Sequence, residues 1–200
     1  IDGPVAWDFI SYSPEVYYLI EESRFFVFGS LAQRSEQSFT TLKSYLSSAQ
    51  TKVFDINLRP PHYSWEKLTF LLLHTDVLKL NYEELGILSD YFFEGLESVQ
   101  DKVKALSGLF YIGTVCVTMG EAGALLWHNA QFYEQPGFPV TVTDTVGSGD
   151  AFLGAFLYAL LKSESPENAL KTACAVGAFV ATKKGGTPFY TLQEIDDFMQ

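Results

Sequence analysis

The sequence predicts an α/β protein: a Rossmann-like, mainly parallel sheet flanked by helices, with an antiparallel strand edge. Two observations carry that prediction. Through most of the chain, short apolar runs alternate with segments of helical apolar spacing, the pattern of strand–helix–strand units. After Gly120 the rhythm changes to three strand-like runs separated by short turns, which predicts antiparallel pairing near one sheet edge.

Taken in order, Phe25–Phe28 reads as a buried strand ending at Gly29-Ser30. Ser35–Ala49 reads as a helix with Phe39, Leu42 and Leu46 on one side. Lys52–Asn57 is the next strand, stopped by Pro60-Pro61, and Trp65–Leu73 is a short apolar helix. Asp76–Leu80 is a third strand, and Asn81 starts the turn after it. A helix carrying Leu96, Val99, Val103 and Leu106 follows, then a strand over Thr114–Thr118. The edge runs are Ala124–Trp127, Gln131–Glu134 and Val140–Thr143. Two apolar helices come next, Ala151–Leu161 and Glu167–Lys183. The second opens at Ser165-Pro166 and closes at Gly185-Gly186. A last short helix covers Leu192–Met199. In such sheets ligands gather beyond the carboxyl ends of the strands. Asn57, Asn81, Thr118 and Asp144 fall there.

Composition bounds the function. The 200 residues suffice for one domain with a core and no disulfide staples. With 48% hydrophobic and 18% charged residues, the chain as a whole is not disordered. No stretch approaches eighteen uninterrupted apolar residues, so neither a spanning helix nor a membrane partner is expected. Thirteen basic against 24 acidic residues give a net charge of −11, which excludes an electrostatic grip on nucleic acid. Cys116 and Cys174 form no CxxC pair and read as reduced, buried thiols of a cytoplasmic protein. His62, His74 and His128 share no zinc-ligand spacing. The chain begins Ile1-Asp2-Gly3, with no Met and no signal-peptide pattern.

The most informative stretch is Asp144-Thr145-Val146-Gly147-Ser148-Gly149-Asp150-Ala151-Phe152, which joins a strand-like run to an apolar helix. Its glycines let backbone N–H groups turn toward one point, and the helix start adds partial positive charge there. Such a nest suits a phosphate or a developing anionic oxygen. An ionised Asp150 beside it can take a proton from a hydroxyl during phosphoryl transfer. A Gly-rich turn with Asp as a helix cap is the plainer reading of the same residues. There is no Walker-type GxxxxGK[ST], and no GxGxxG follows the first strand.

This stretch resembles the C-terminal signature of the ribokinase-like (PfkB) carbohydrate kinases. Other segments resemble that family in the same order. Phe28-Gly29-Ser30-Leu31 is similar to its strand before the core helix. Asp55-Ile56-Asn57-Leu58-Arg59, followed by Trp65, resembles the D-x-N-x-R…W stretch of fructokinase-like and ketodeoxygluconate-kinase-like members. Lys79–Leu85 resembles the N-x-x-E segment, Val117–Gly123 the V-T-x-G-x-x-G nucleotide loop, and Lys183–Pro188 the closing K-G-x-x-P. The likeness runs from about Phe25 to near the C-terminus.

The resemblance implies roles residue by residue. Asp150 is the general base, and Gly147, Ser148 and Gly149 form the anion hole. Ser148 stands where the family has Ala or another small residue. Asn81 and Glu84 help organise Mg²⁺ and the phosphates, Glu84 through water, since Mg²⁺ keeps much of its hydration; Asn81 also suits a helix cap. Thr118, Gly120 and Gly123 border ATP, in what also reads as a tight turn. Cys174 falls near the adenine, where packing is expected; a plain core cysteine is the other reading. Asn57 and Arg59 face the sugar or its phosphate, Arg being a natural fork for anionic oxygens; an exposed Arg beside Pro60 is the alternative. Asp144 and Val146 sit where several relatives bind a monovalent cation.

The implied activity is ATP-dependent phosphorylation of a primary hydroxyl of a small sugar. Fructose leads, followed by ribose, ketodeoxygluconate and a nucleoside. The competing reading is a non-catalytic nucleotide- or sugar-binding module. It is motivated by the lack, ahead of Phe25, of the family's N-terminal glycine pair, acidic sugar residue and lid sheet. The chain is accordingly expected to be one α/β core over residues 1–200, the C-terminal nucleotide-binding and catalytic part of a longer kinase. A homodimer through the lid is possible in the complete protein.

Overall fold

A computed structural model describes residues 3–200; Ile1 and Asp2, and with them the reading of the chain start, lie outside the described residues. Six strands occur in the sheet order β1 to β6, matching the chain order. They are β1 (Phe26–Gly29), β2 (Lys52–Asp55), β3 (Val77–Asn81), β4 (Thr114–Thr118), β5 (Ala124–His128) and β6 (Gln131–Gln135). The helices are α1 (Pro14–Glu22), α2 (Glu36–Leu46), α3 (Trp65–Leu73), α4 (Tyr82–Phe92), α5 (Val99–Phe110), α6 (Ser148–Leu161), α7 (Pro166–Ala181) and α8 (Leu192–Phe198). The chain divides into two compact units, Ile1–Val115 and Cys116–Gln200.

In the first unit β1 and β2 run parallel with Phe28 opposite Phe54, and β2 and β3 run parallel with Asp55 opposite Lys79. Val53, Phe54, Leu78 and Leu80 are fully buried, as strands covered on both faces require. Helix α2 starts at Ser35, whose hydroxyl accepts from the Ser38 amide, and buries Phe39, Leu42 and Leu46. Helix α3 matches its predicted bounds. Leu96 falls outside α5, which starts only after the Ser98 cap. The described residues ahead of Phe25, which carried no assignment, contain a 3₁₀ turn at Ala6–Phe9 and α1, the latter begun by Ser13-Pro14.

In the second unit β5 and β6 pair antiparallel, from Ala124 opposite Gln135 to His128 opposite Gln131. The two residues between them, Asn129 and Ala130, both have positive φ, which matches the twist of a tight hairpin. The third expected edge run, Val140–Thr143, is not a strand. Its β-branched residues suit a pleated surface, but most of this run is exposed, and the Thr143 amide donates to Ala181 O at the end of α7 (2.8 Å). Helix α7 also ends before Gly185-Gly186: Thr182 caps it in a right-handed conformation. Ala175, Val176 and Phe179 of α7 pack with Ile195 of α8.

Candidate active site

The Gly-rich turn is built by its own backbone and by the segment after α7. Gly147 caps α6 with φ +78°. A Cβ there would overlap the backbone of Gly186, so glycine is required by both dihedral and space. Asp144 closes the turn from the other side: its Oδ1 accepts from Val146 N (3.0 Å) and its Oδ2 from Gly185 N (3.2 Å). The Ser148 hydroxyl donates to Gly177 O in α7 (3.0 Å), which explains how a residue larger than Ala is accommodated. The Ser148 amide closes a turn onto Thr145 O (3.3 Å). Among the described residues, the N–H groups of Gly147, Gly149 and Asp150 have no hydrogen-bond partner. They are donors at the positive end of a fourteen-residue helix, with the exposed Asp150 carboxylate in its first turn. The arrangement can hold an anion and accept a proton beside it.

The same unit carries the glycine loop after β4. Gly120 (φ +59°) opens a 3₁₀ turn and Gly123 (φ +97°) closes it, with Met119 N donating to Gly123 O (2.8 Å). A Cβ on Gly123 would overlap the backbone at Gln135, Pro136 and Gly137. Thr118 ends β4 and is half-buried. Cys174 is buried in α7, and burial pushes its thiol up to about 12, so it is a packing group and not a nucleophile. Cys116 is likewise buried.

In the first unit the loop after β2 carries Asn57 and Arg59. Asn57 adopts φ +43°, a conformation that Asn tolerates better than most residues. Its carbonyl accepts from the Ser30 hydroxyl (3.2 Å), and the Leu58 amide donates to Glu84 Oε1 (2.8 Å). Arg59 is exposed, and its guanidinium donates to Leu58 O (3.0 Å). Asn81 caps α4: its Oδ1 accepts from Glu84 N (2.8 Å), while Glu84 Oε2 accepts from Asn81 N (2.9 Å), a reciprocal capping box. Among the described residues no three His, Cys, Asp or Glu side chains group as a metal site. With both Glu84 oxygens already taken by backbone amides, Asn81 and Glu84 fit an ion that keeps its water shell, not a direct cage.

Three features escaped the sequence reading. Lys79 Nζ pairs with both Asp55 oxygens (3.0 and 3.2 Å), and both side chains are buried. The signal was present as an acid at the end of β2 and a base flanked by leucines in β3. Gly186 supports Gly147 by a backbone approach that no sequence spacing encodes. Gln33, beside a water-sized recess with Ser30, His62 and Tyr63, donates to Gly29 O (3.2 Å), while its Oε1 is buried with no partner among the described residues.

A glycine cradle at a helix start with an adjacent carboxylate, in a chain with a mostly parallel sheet, is an arrangement that can serve phosphoryl transfer. Residues 7–191 match the pfkB family of carbohydrate kinases, and the chain belongs to that family. It is 43% identical over 91 residues to a 2-dehydro-3-deoxygalactonokinase of Haloferax volcanii, covering 46% of this chain and 29% of that protein. It is 29% identical over 190 residues to a probable fructokinase-5 of Arabidopsis thaliana, covering 85% and 56%. A structure of a putative ribokinase II from E. coli in complex with ATP and Mg²⁺ superposes with a TM-score of 0.80 at 22% identity, covering 92% of this chain and 60% of that one. The chain thus spans at most about 56% of the length of these two curated relatives. Among the described residues no helix is long and apolar enough to cross a membrane.

Proposed function

We propose that the protein is a cytoplasmic, ATP-dependent kinase that phosphorylates a primary hydroxyl of a small sugar, with fructose the first candidate. The observation that carries this is the turn before α6, with three unpartnered N–H donors beside an exposed carboxylate. In this reading Asp150 takes the proton of the sugar hydroxyl as its oxygen bonds to the γ-phosphorus. The bond from that phosphorus to the ADP oxygen breaks in line. The N–H groups of Gly147, Gly149 and Asp150 face the charge on the transferring phosphoryl group, while Ser148, expected there too, turns its amide to Thr145 O and shapes the turn. Thr118, Gly120 and Gly123 border ATP, and Cys174 packs toward its base. In the first unit, Asn57 and Arg59 contact the sugar, and Asn81 and Glu84 would help hold a hydrated Mg²⁺. That ion neutralises phosphate charge when bound with ATP. Asp144 and Val146 are the candidates for a monovalent-cation site; Asp144 already spends both oxygens on amides.

A fructokinase and a deoxygalactonate kinase stand together among the relatives, so fructose leads on the breadth of the fructokinase match and not on a contact. A coupled assay over fructose, ribose, ketodeoxygluconate and a nucleoside tests the class and ranks the substrates. Asp150→Asn is expected to lower kcat by about 10²–10⁴-fold while MgATP still binds. Near-normal turnover in a folded Asp150→Asn protein sinks the assignment. The second reading is a nucleotide- or sugar-binding module without turnover. Calorimetry showing ATP binding without sugar binding would favour it.

A further inference from the structure

Strands β2 and β3 meet with complementary ends. Lys52-Val53-Phe54-Asp55 lies along Asp76-Val77-Leu78-Lys79, with Val53 opposite Val77, Phe54 opposite Leu78 and Asp55 opposite Lys79. At the inner end Lys79 Nζ donates to both Asp55 oxygens (3.0 and 3.2 Å). At the outer end Asp76 Oδ2 accepts from Lys52 N (2.7 Å) and lies 3.8 Å from Lys52 Nζ. Both pairs join residues 24 positions apart, so a single parallel register satisfies the two together. Antiparallel pairing of the same residues would set Lys52 against Lys79 and Asp55 against Asp76, and like charges directly opposite repel.

Between those ends both strands are apolar, and Val53, Phe54 and Leu78 are fully buried. In strands covered on both faces, a one-residue slip exchanges one apolar side chain for another, so apolar patterning penalises it little. The same slip would leave Asp55 and Lys79 buried without each other, which is expensive. Stability alone does not account for an ion pair at this rung, because an apolar pair of similar volume holds a core as well or better. The outer pair is more exposed, 25% for the Lys52 side chain and 50% for Asp76, and is worth correspondingly less. What the register sets is the rim of the sheet. Asn57 lies two residues past Asp55, and Asn81 two past Lys79. A slip of one residue would displace one against the other by about 3.3 Å.

We propose that the buried Asp55–Lys79 pair is a register pin, a positioning pair that aligns Asn57 with Asn81 at the carboxyl edge of the sheet. The kinetic consequence rests on the sugar-kinase reading; the pin itself does not. The test is Lys79→Met combined with Asp55→Leu, in which an apolar pair restores folding without the pin. In the wild type, NMR should show one set of resonances and a through-hydrogen-bond coupling from the Ile56 amide nitrogen to the Lys79 carbonyl carbon, a bond of 3.1 Å that reports the register. In the double variant, β2 and β3 should give two sets of resonances, one of them without that coupling, while Leu153 in α6 and Val176 in α7 stay single. A single set with the native coupling overturns the pin. A double variant that melts as low as Lys79→Met alone also overturns it, since the pair would then act on stability. Lys52→Met, which removes only the more exposed cation, should keep one register; two registers there place the pin at the outer end and overturn the assignment.

In turnover, the double variant should lose about tenfold in kcat/KM for the sugar at a melting temperature near that of the wild type. An unchanged kcat/KM alongside two registers overturns the positioning role. If the wild type phosphorylates no sugar, the kinase reading fails, and the resonance comparison still decides the pin.

Discussion

The loop after β2 and the turn before α6 both carry candidate site residues, yet they are held in place by opposite means. After β2, position is set by buried side chains: the Asp55–Lys79 pair and the Glu84 carboxylate between two amides. Before α6, position is set by side chains that are missing: Gly147 at φ +78° lies against the backbone of Gly186. The first arrangement concentrates charge where water is excluded, so it is vulnerable to deleting one partner. The second brings backbone to backbone, so it is vulnerable to adding a single carbon. Bare backbone N–H groups can close on an anion from several sides, and the turn before α6 leaves three of them without a partner among the described residues.

The largest effect expected from this contrast is at Lys79. Lys79→Met leaves Asp55 buried without its cation and should cost about 3–5 kcal/mol in chemical denaturation. Lys79→Met combined with Asp55→Leu should recover most of that loss, because an apolar pair carries no desolvation penalty. A loss below about 1 kcal/mol in the single variant would mean that water reaches the pair and that side-chain anchoring is weaker than its burial indicates.

Next comes a paired test on α6 and its cap. Gly147→Ala places a Cβ in a left-handed conformation against Gly186 and should destabilise by about 2–3 kcal/mol, with loss of phosphoryl transfer. Gly154→Ala, in the same helix with open space around its Cβ, should instead stabilise by about 0.5–1 kcal/mol. Equal effects from the two would show that the turn before α6 yields freely and that the missing side chain is not what shapes it.

The same division marks what could be read from the sequence. The strands β1 to β6 and the helices α2, α3, α6, α7 and α8 were legible because apolar spacing records which face is buried. The Gly147–Asp150 turn was legible because glycine and a helix-start acid are local signals. Val140–Thr143 was misread because β-branched residues favour a pleated surface whether or not a partner strand exists. The Glu84–Leu58 and Asp55–Lys79 contacts join positions 26 and 24 residues apart, and a single sequence shows the charges but not their pairing. Gly186 was read as a helix stop, since the backbone it approaches lies nearly forty residues earlier.

The smallest effect expected lies at the edge of the first unit, and pH separates it from the others. Arg34 grips Asp8 through two nitrogens at 2.7 Å and holds its carboxyl down to about 2, from an ordinary 3.8. A carboxyl depressed on folding adds stability that is complete above its unfolded value and fades as pH falls toward its folded one. The melting temperature of Asp8→Asn should therefore lie modestly below that of the wild type above pH 4. The gap should close as pH approaches 2. The deficit of Gly147→Ala should stay constant across the same window, because no proton enters or leaves a steric overlap. A gap for Asp8→Asn that is flat with pH would show that the residue acts by packing, and would move it to the glycine side of the comparison.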